Sequence, residues 1–315
     1  MHESLKEGIS GKRGHLCYMA QSQKTPPAPQ VPINPALKVL RASYPLIEKL
    51  IPPLARKIGV GFFLRPFKFS LPERERATAQ RAEKSHFDLL GKRMVTYQWG
   101  TTKPYVLCVH GWSGRAMQFH AIIDHLQSQG ISVIAFDAPA HGTSTGKVTN
   151  LIEFAACINH IVEEHGAPIC IIGHSLGGIA TMFYQKKYQT AYPQITINSP
   201  AIADEIFENY ASRLNANKAK ISQWIENYVR QRINMEFYEV SGEYLSKGFP
   251  ETPFLICIDK DDREVSLKNA EVLNKNMPFS EVFVTESFGH VRILRADVLV
   301  HKVSDFVSNL TADTQ

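Results

Sequence analysis

Residues 169–188 read ICIIGHSLGGIATMFYQKKY. An apolar run of strand length ends in glycines that bracket one serine, and a helix-forming run follows with no linker. This is the G-x-S-x-G pattern of a sharp strand-to-helix turn, with Ser175 at its tip. The turn holds its serine in a strained backbone conformation, and small residues two places to either side let the chain close on itself. A strand that ends where a helix doubles back along it is the elementary unit of a parallel sheet. A Gly-rich turn with a merely buried serine would carry the same pattern.

The rest of the chain repeats that unit. Short β-branched runs recur as MVTYQW, YVLCVH, SVIAFD, ICIIGH, QITIN, FLICID and EVFVT, most of them separated by helix-like segments. Near-continuous apolar strands alternating with helices predict an α/β fold, a mostly parallel central sheet flanked by helices on both faces. Function in such sheets gathers at the C-terminal strand ends. Residues 201–250, from AIADEIFENY to SKGFP, are too long for a crossover helix and predict a small helical cap inserted between two strands. Residues 1–35 include the Pro-rich TPPAPQVPINP and read as a flexible tail. Residues 36–90 read as a helical extension. Leu37, Leu40, Tyr44, Leu46, Ile47, Leu50 and Ile51 recur at helical spacing, interrupted by Pro45, Pro52 and Pro53. PERERATAQRAEK, from Pro72, reads as a charged helix with proline in its first turn. Residues 91–315 form the main α/β domain.

Composition excludes several classes. A chain of 315 residues buries a core without staples. Its five cysteines are odd in number, scattered and free of any CxxC, which argues for a reducing compartment and against a disulfide framework. No Cys or His cluster has metal-ligand spacing, and no cofactor is expected. The first 24 residues lack an apolar signal-peptide core, and no run of about 18 apolar residues occurs, so a cytoplasmic location is expected. The net charge of +5 is uneven: residues 1–100 carry 17 Lys+Arg against 7 Asp+Glu, the remainder 18 against 23. The basic residues are spread out, unlike a nucleic-acid patch, and no nucleic-acid partner is expected.

A serine nucleophile needs a base held by a third group, in the chain order serine, acid, histidine. After Ser175 the histidines are His290, just past EVFVT, and His301, inside the apolar VLVHKV. The strand-end position favours His290 as base. The acid should follow FLICI, where Asp259, Asp261 and Asp262 compete; Asp262 lies deepest in the loop and is favoured. Gly111 and Trp112, after YVLCV, sit where a loop amide would face the developing oxyanion, and the helix N-terminus after Ser175 adds amides and dipole. His110, Asp137 and His141 look catalytic in isolation, but their Pro- and Gly-shaped loops fit a bracing role better.

In order and approximate spacing, HGWSG (110–114), DAPAHGTS (137–144), GHSLGG (173–178), DKDDREV (259–265) and FGH (288–290) resemble the α/β-hydrolase superfamily, over roughly Met94 to Val307. The sequence departs from the family at Asp259, where the acid loop usually opens with Gly, and at Phe288, where Gly-Gly often precedes the final histidine. The resemblance implies the α/β-hydrolase fold, a nucleophile at Ser175, a base at His290 and oxyanion donors at the Trp112 and Leu176 amides. The implied reaction is two-step acyl transfer on a small ester-like substrate, with Phe207, Tyr210, Trp224 and Tyr228 as candidate pocket walls or cap core. A dehalogenase would carry Asp in place of Ser175. Two other readings are a non-catalytic binding protein on this scaffold and a lipase or thioesterase that associates weakly with membrane surfaces through residues 35–70.

Overall fold

The computed structural model describes residues 16–18, 35–101 and 103–312. In chain order the elements are β1 (Leu16–Tyr18), α1 (Pro35–Leu50), α2 (Pro52–Phe63), α3 (Glu73–Arg81), β2 (Glu83–Leu89), β3 (Lys92–Trp99), β4 (Tyr105–Val109), α4 (His120–Ser128), β5 (Ser132–Asp137), α5 (Leu151–His165) and β6 (Cys170–His174). They continue as α6 (Leu176–Tyr188), β7 (Gln194–Ile197), α7 (Ala203–Leu214), α8 (Lys218–Ile233), α9 (Gly242–Leu245), β8 (Phe254–Asp259), α10 (Leu267–Asn276), β9 (Glu281–Thr285), α11 (Gly289–Arg292) and α12 (Asp297–Ala312).

All the described strands join one sheet in the order β1-β9-β8-β7-β6-β4-β5-β3-β2. β4 to β9 run parallel where they pair, and β3 joins β5 antiparallel. Every residue of β4, β5, β6, β7 and β8 is buried, because helices cover both faces. Alternate side chains therefore feed two separate cores. Along β4, Leu107 and Val109 enter one with Phe154, Ile171 and Ile256, whereas Val106 and Cys108 enter the other with Phe119, Ile172 and Leu299.

Two strands lie outside the expected main domain. β2 pairs antiparallel with β3 across the Leu90–Gly91 turn, so Glu83–Leu89 join the sheet ahead of residue 91. It is an edge strand with Phe87 as its one buried residue, and so it lacks the apolar alternation that marks a half-buried strand. The tail expected over residues 1–35 falls largely outside the described residues, but Leu16–Tyr18 within it form β1, paired parallel to β9.

α7, α8 and α9 lie between β7 and β8. The N-terminal hairpin of α1 and α2 packs on this insertion to make one helical layer. Val60 and Phe63 of α2 meet Phe207, Ile221, Ile225 and Phe237, and Leu40 and Ile47 of α1 share a core with Leu214 and Trp224. Polar contacts fix the seam. The Tyr210 hydroxyl donates to the Gly59 carbonyl (2.6 Å), and buried Glu48 accepts from the Asn217 amide (3.2 Å). No helix among the described residues is long and apolar enough to cross a membrane.

A buried ion pair ties α3 to the loop after β4. The Arg115 guanidinium donates twice to Glu75 (2.7 and 2.8 Å), and both side chains are largely shielded from water. Removing one partner strands the other charge in a low-dielectric site. Glu75→Ala should therefore cost about 3–5 kcal/mol, read from the urea midpoint at constant m-value; a loss no larger than a typical surface substitution would show the pair to be solvated.

Candidate active site

The elbow follows from the way β6 meets α6. Ser175, between them, adopts φ 52° and ψ −124°, a left-handed φ that a residue with a side chain occupies only when its surroundings impose it. Its amide is anchored to the Ile197 carbonyl (2.9 Å). Gly177 has no room for a side chain, since a Cβ there would lie 2.1 Å from the Val109 carbonyl oxygen. The loop after β4 closes in from the other side, where a Cβ on Gly111 would sit 2.7 Å from that of Ser175. Among the described residues the Trp112 and Leu176 amides have no protein acceptor.

The loops after β8 and β9 complete a hydrogen-bonded chain. The Ser175 hydroxyl donates to Nε2 of His290 (3.0 Å), and Nδ1–H of His290 donates to Oδ2 of Asp262 (2.7 Å). The other Asp262 oxygen accepts from the amides of Glu264 (2.7 Å) and Val265 (3.2 Å), so this buried carboxylate is fixed in direction. Of the three competing aspartates only Asp262 meets His290. Asp259 is wholly buried and binds the histidine loop instead, taking the amides of Phe288 (3.1 Å) and Gly289 (2.9 Å) and the Thr285 hydroxyl (2.8 Å). Asp261 caps the same loop at the Ser287 amide (2.8 Å). His301 lies on α12, with its ring edge-on to His125.

Two positioning groups escape a sequence reading. Nε2–H of His174 donates to the His290 carbonyl (2.8 Å), and the Asn198 side-chain amide reaches the Gly289 and His290 carbonyls (3.3 and 3.2 Å). His174 occupies the unspecified place in G-x-S-x-G, so the pattern says nothing of it. Asn198 carried one signal, a polar side chain directly after the apolar strand QITI. Burial, reinforced by the nearby His290, pushes the His174 pKa down to about 3, so it stays neutral.

The loops after β4 and β5 brace each other. Nε2 of His141 accepts from the Ser113 amide (2.9 Å), and Nε2 of His110 accepts from the Ala138 amide (3.0 Å). Asp137 accepts from the amides of Ala116 (2.9 Å) and Thr143 (2.8 Å) and from the Tyr97 hydroxyl (3.0 Å). Burial lowers both histidine pKa values, that of His141 to about 2, so each remains a neutral acceptor.

Above Ser175 lies a cavity of about 480 Å³ with a predominantly apolar wall. Tyr210 and Tyr228 line it, as the sequence suggested, but Phe207 and Trp224 do not. Phe207 is buried against Phe237, with ring centroids 4.4 Å apart, and Trp224 packs at the seam with the N-terminal hairpin. Their place on the wall is taken by Phe62, Phe63 and Phe67 of the N-terminal extension, the first two within the apolar run IGVGFFL. Among the described residues no cluster of three or more His, Cys, Asp or Glu is placed to share a metal ion.

The family model described as serine aminopeptidase, S33, matches residues 100–241, a span that holds the elbow and stops short of Asp262 and His290. The fold resembles that of an esterase from Pyrococcus furiosus, with a TM-score of 0.61 at 17% identity over 78% of this chain and 99% of that one. The chain has the α/β-hydrolase fold. Among curated proteins it is 26% identical over 142 residues to protein phosphatase methylesterase 1 of Candida albicans, covering 42% of this chain and 38% of that protein. It is 27% identical over 136 residues to monoacylglycerol lipase of Mycolicibacterium smegmatis, covering 40% of this chain and 49% of that protein. The alignments thus span half or less of these relatives' lengths.

One carboxylate on the cavity wall acts on His290 from a distance. Burial disfavours the His290 imidazolium, but the Asp262 hydrogen bond and the charges of Glu264 and Asp262 outweigh it and hold the pKa above the ordinary histidine value. Glu264 lies 3.9 Å from Nε2 and is ion-paired with Arg213 of α7. Glu264→Gln removes the charge that favours the imidazolium and leaves Arg213 to oppose it. Both changes lower the His290 pKa, so its imidazole NMR titration, followed in the Ser175→Ala protein, should move to lower pH; an upward move would contradict this electrostatic account.

Proposed function

We propose that the protein is a serine hydrolase that cleaves a carboxylic ester, or a related acyl compound, through an acyl-enzyme. The observation that carries this reading is the unbroken hydrogen-bonded chain from Ser175 through His290 to Asp262 at the floor of an apolar cavity. His290 takes the hydroxyl proton through Nε2 as Oγ attacks the acyl carbon. Asp262 holds the ring in the tautomer that accepts at Nε2 and stabilises the imidazolium. The Trp112 and Leu176 amides receive the oxyanion, and loss of one such donor typically costs about 10²–10³ in rate. The imidazolium then protonates the leaving alcohol, and water, activated by the same histidine, releases the acid.

The relatives named as a methylesterase and a lipase support an ester substrate. The S33 description suggests peptides instead, but the one carboxylate on the cavity wall, Glu264, is already paired with Arg213, which leaves no free anion for a peptide amino terminus. The predominantly apolar wall suits an acyl chain. We place the enzyme in the cytoplasm, where its four described cysteines, all free and buried, stay reduced.

A fluorophosphonate probe should label Ser175, with Ser175→Ala abolishing both adduct and turnover, and p-nitrophenyl esters of medium acyl chain should outpace the acetate. Asp262→Asn should lower turnover by about 10⁴, as in the well-studied triad case. A folded protein without adduct would favour a binding role for the cavity.

A further inference from the structure

The outer face of the N-terminal hairpin is apolar where water should favour polar residues. On α1, Leu37 and Arg41 line the cavity and Tyr44 and Glu48 are buried, which defines the inner side. Val39, Leu46 and Leu50 fall on the opposite side at helical spacing, and Ile51 and Leu54 continue the surface into α2. Phe67 and Phe69 follow in the next loop, and these seven side chains are 41–67% exposed. They make up most of the large exposed hydrophobic residues among the described residues, which marks a binding surface rather than scattered exposure.

The charge around this surface is of one sign. Lys38, Lys49, Arg56, Lys57, Arg65 and Lys68 are all exposed, whereas the single carboxylate of residues 37–70, Glu48, is buried on the Asn217 amide. Among the described residues Lys49, Arg56 and Lys57 have no carboxylate partner. Apolar side chains ringed by unneutralised cations are complementary to one kind of surface, an anionic interface over a hydrocarbon interior. A neighbouring protein would need an acidic rim around an apolar centre. Residues 19–34 of this chain offer only Met19, Val31 and Ile33 as large aliphatic cover.

We propose that the outer face of α1 and α2, with the Phe67–Phe69 loop, docks on an anionic lipid bilayer. Arg65 and Phe67 are exposed and also line the cavity, so docking sets its mouth against the bilayer, and an acyl chain passes from lipid to the Ser175 site without crossing bulk water. That last consequence rests on the serine-hydrolase reading; the docking does not.

The test is sedimentation of the full-length Ser175→Ala protein, in which no turnover disturbs the lipid, with vesicles of phosphatidylcholine alone or mixed equally with phosphatidylglycerol. The protein should sediment with the mixed vesicles, weakly with the neutral ones, and be released at about 1 M salt, where the screening length falls to about 3 Å. Leu46→Ser with Leu50→Ser, and separately Lys49→Glu with Lys57→Glu, should each weaken binding by about tenfold or more. In a wild-type background the same pairs should leave the circular dichroism spectrum and hydrolysis of a water-soluble short-chain ester unchanged. Failure to bind mixed vesicles at low salt, or binding indifferent to both pairs, overturns the proposal. So does a lipid-free dimer that Leu46→Ser with Leu50→Ser dissolves, since the face would then belong to a second copy. Because the probe protein is catalytically silent, none of these outcomes depends on whether Ser175 is a nucleophile.

Discussion

Ser175 is held at φ 52°, ψ −124° by everything that touches it, and the centre of the molecule is arranged to keep it there. β6 stops and α6 starts at this residue, so its hydroxyl stands clear of both elements while the loops after three other strands supply the rest of the site. The position of β6, between β4 and β7, matters as much as the turn. The loop after β4 comes near enough to offer amides, and the loops after β8 and β9 arrive with the acid and the histidine. A conformation of this kind costs about 1–3 kcal/mol, which the close packing of Gly177 under the β4 end and the Ile197 anchor offset.

The site stands on a scaffold of neutral histidines and two buried carboxylates, Asp137 and Asp259. His110, His141 and His174 all lie in the core, and burial keeps each of them uncharged, so each acts as a directional donor or acceptor. Asp259 is the counterpart on the other side, tying the ends of β8 and β9 together directly beneath the histidine loop. His290 differs from the other three because the carboxylates that face it outweigh burial, whereas at His110 burial prevails over Asp137. That contrast separates the histidine able to take up a proton from those that only hold loops.

Much of this arrangement is legible in the sequence, and the illegible parts have a common cause. The seven strands from β3 to β9 announce themselves because burial on both faces demands continuous apolar runs, whereas β2 hides because an edge strand with one buried residue carries no such demand. Ser175 and His290 follow from chain order and strand ends. The roles of Asp259 and Asp262 depend on which way each carboxylate turns, and nothing local encodes that. The same holds for the cavity wall: Phe207 and Trp224 sit on amphipathic helices, and whether such a side chain faces ligand or neighbour depends on what packs against it. Here that neighbour is the N-terminal hairpin, and it turns both side chains into core while placing its own phenylalanines on the wall.

The hydrogen bond from Tyr210 to Gly59 joins residues 151 positions apart, and it lies in the seam that closes the roof of the cavity. A ribosome adding about 5–20 residues per second takes on the order of 10–30 s to make the second half of that seam after the first has emerged. Through that interval the inner face of α1 and α2, with Tyr44 and Phe63, has no partner. The hairpin is thus synthesised well before the insertion that covers it. The nascent chain carries two apolar surfaces on one small element until its insertion arrives, a circumstance that invites chaperone capture of this segment.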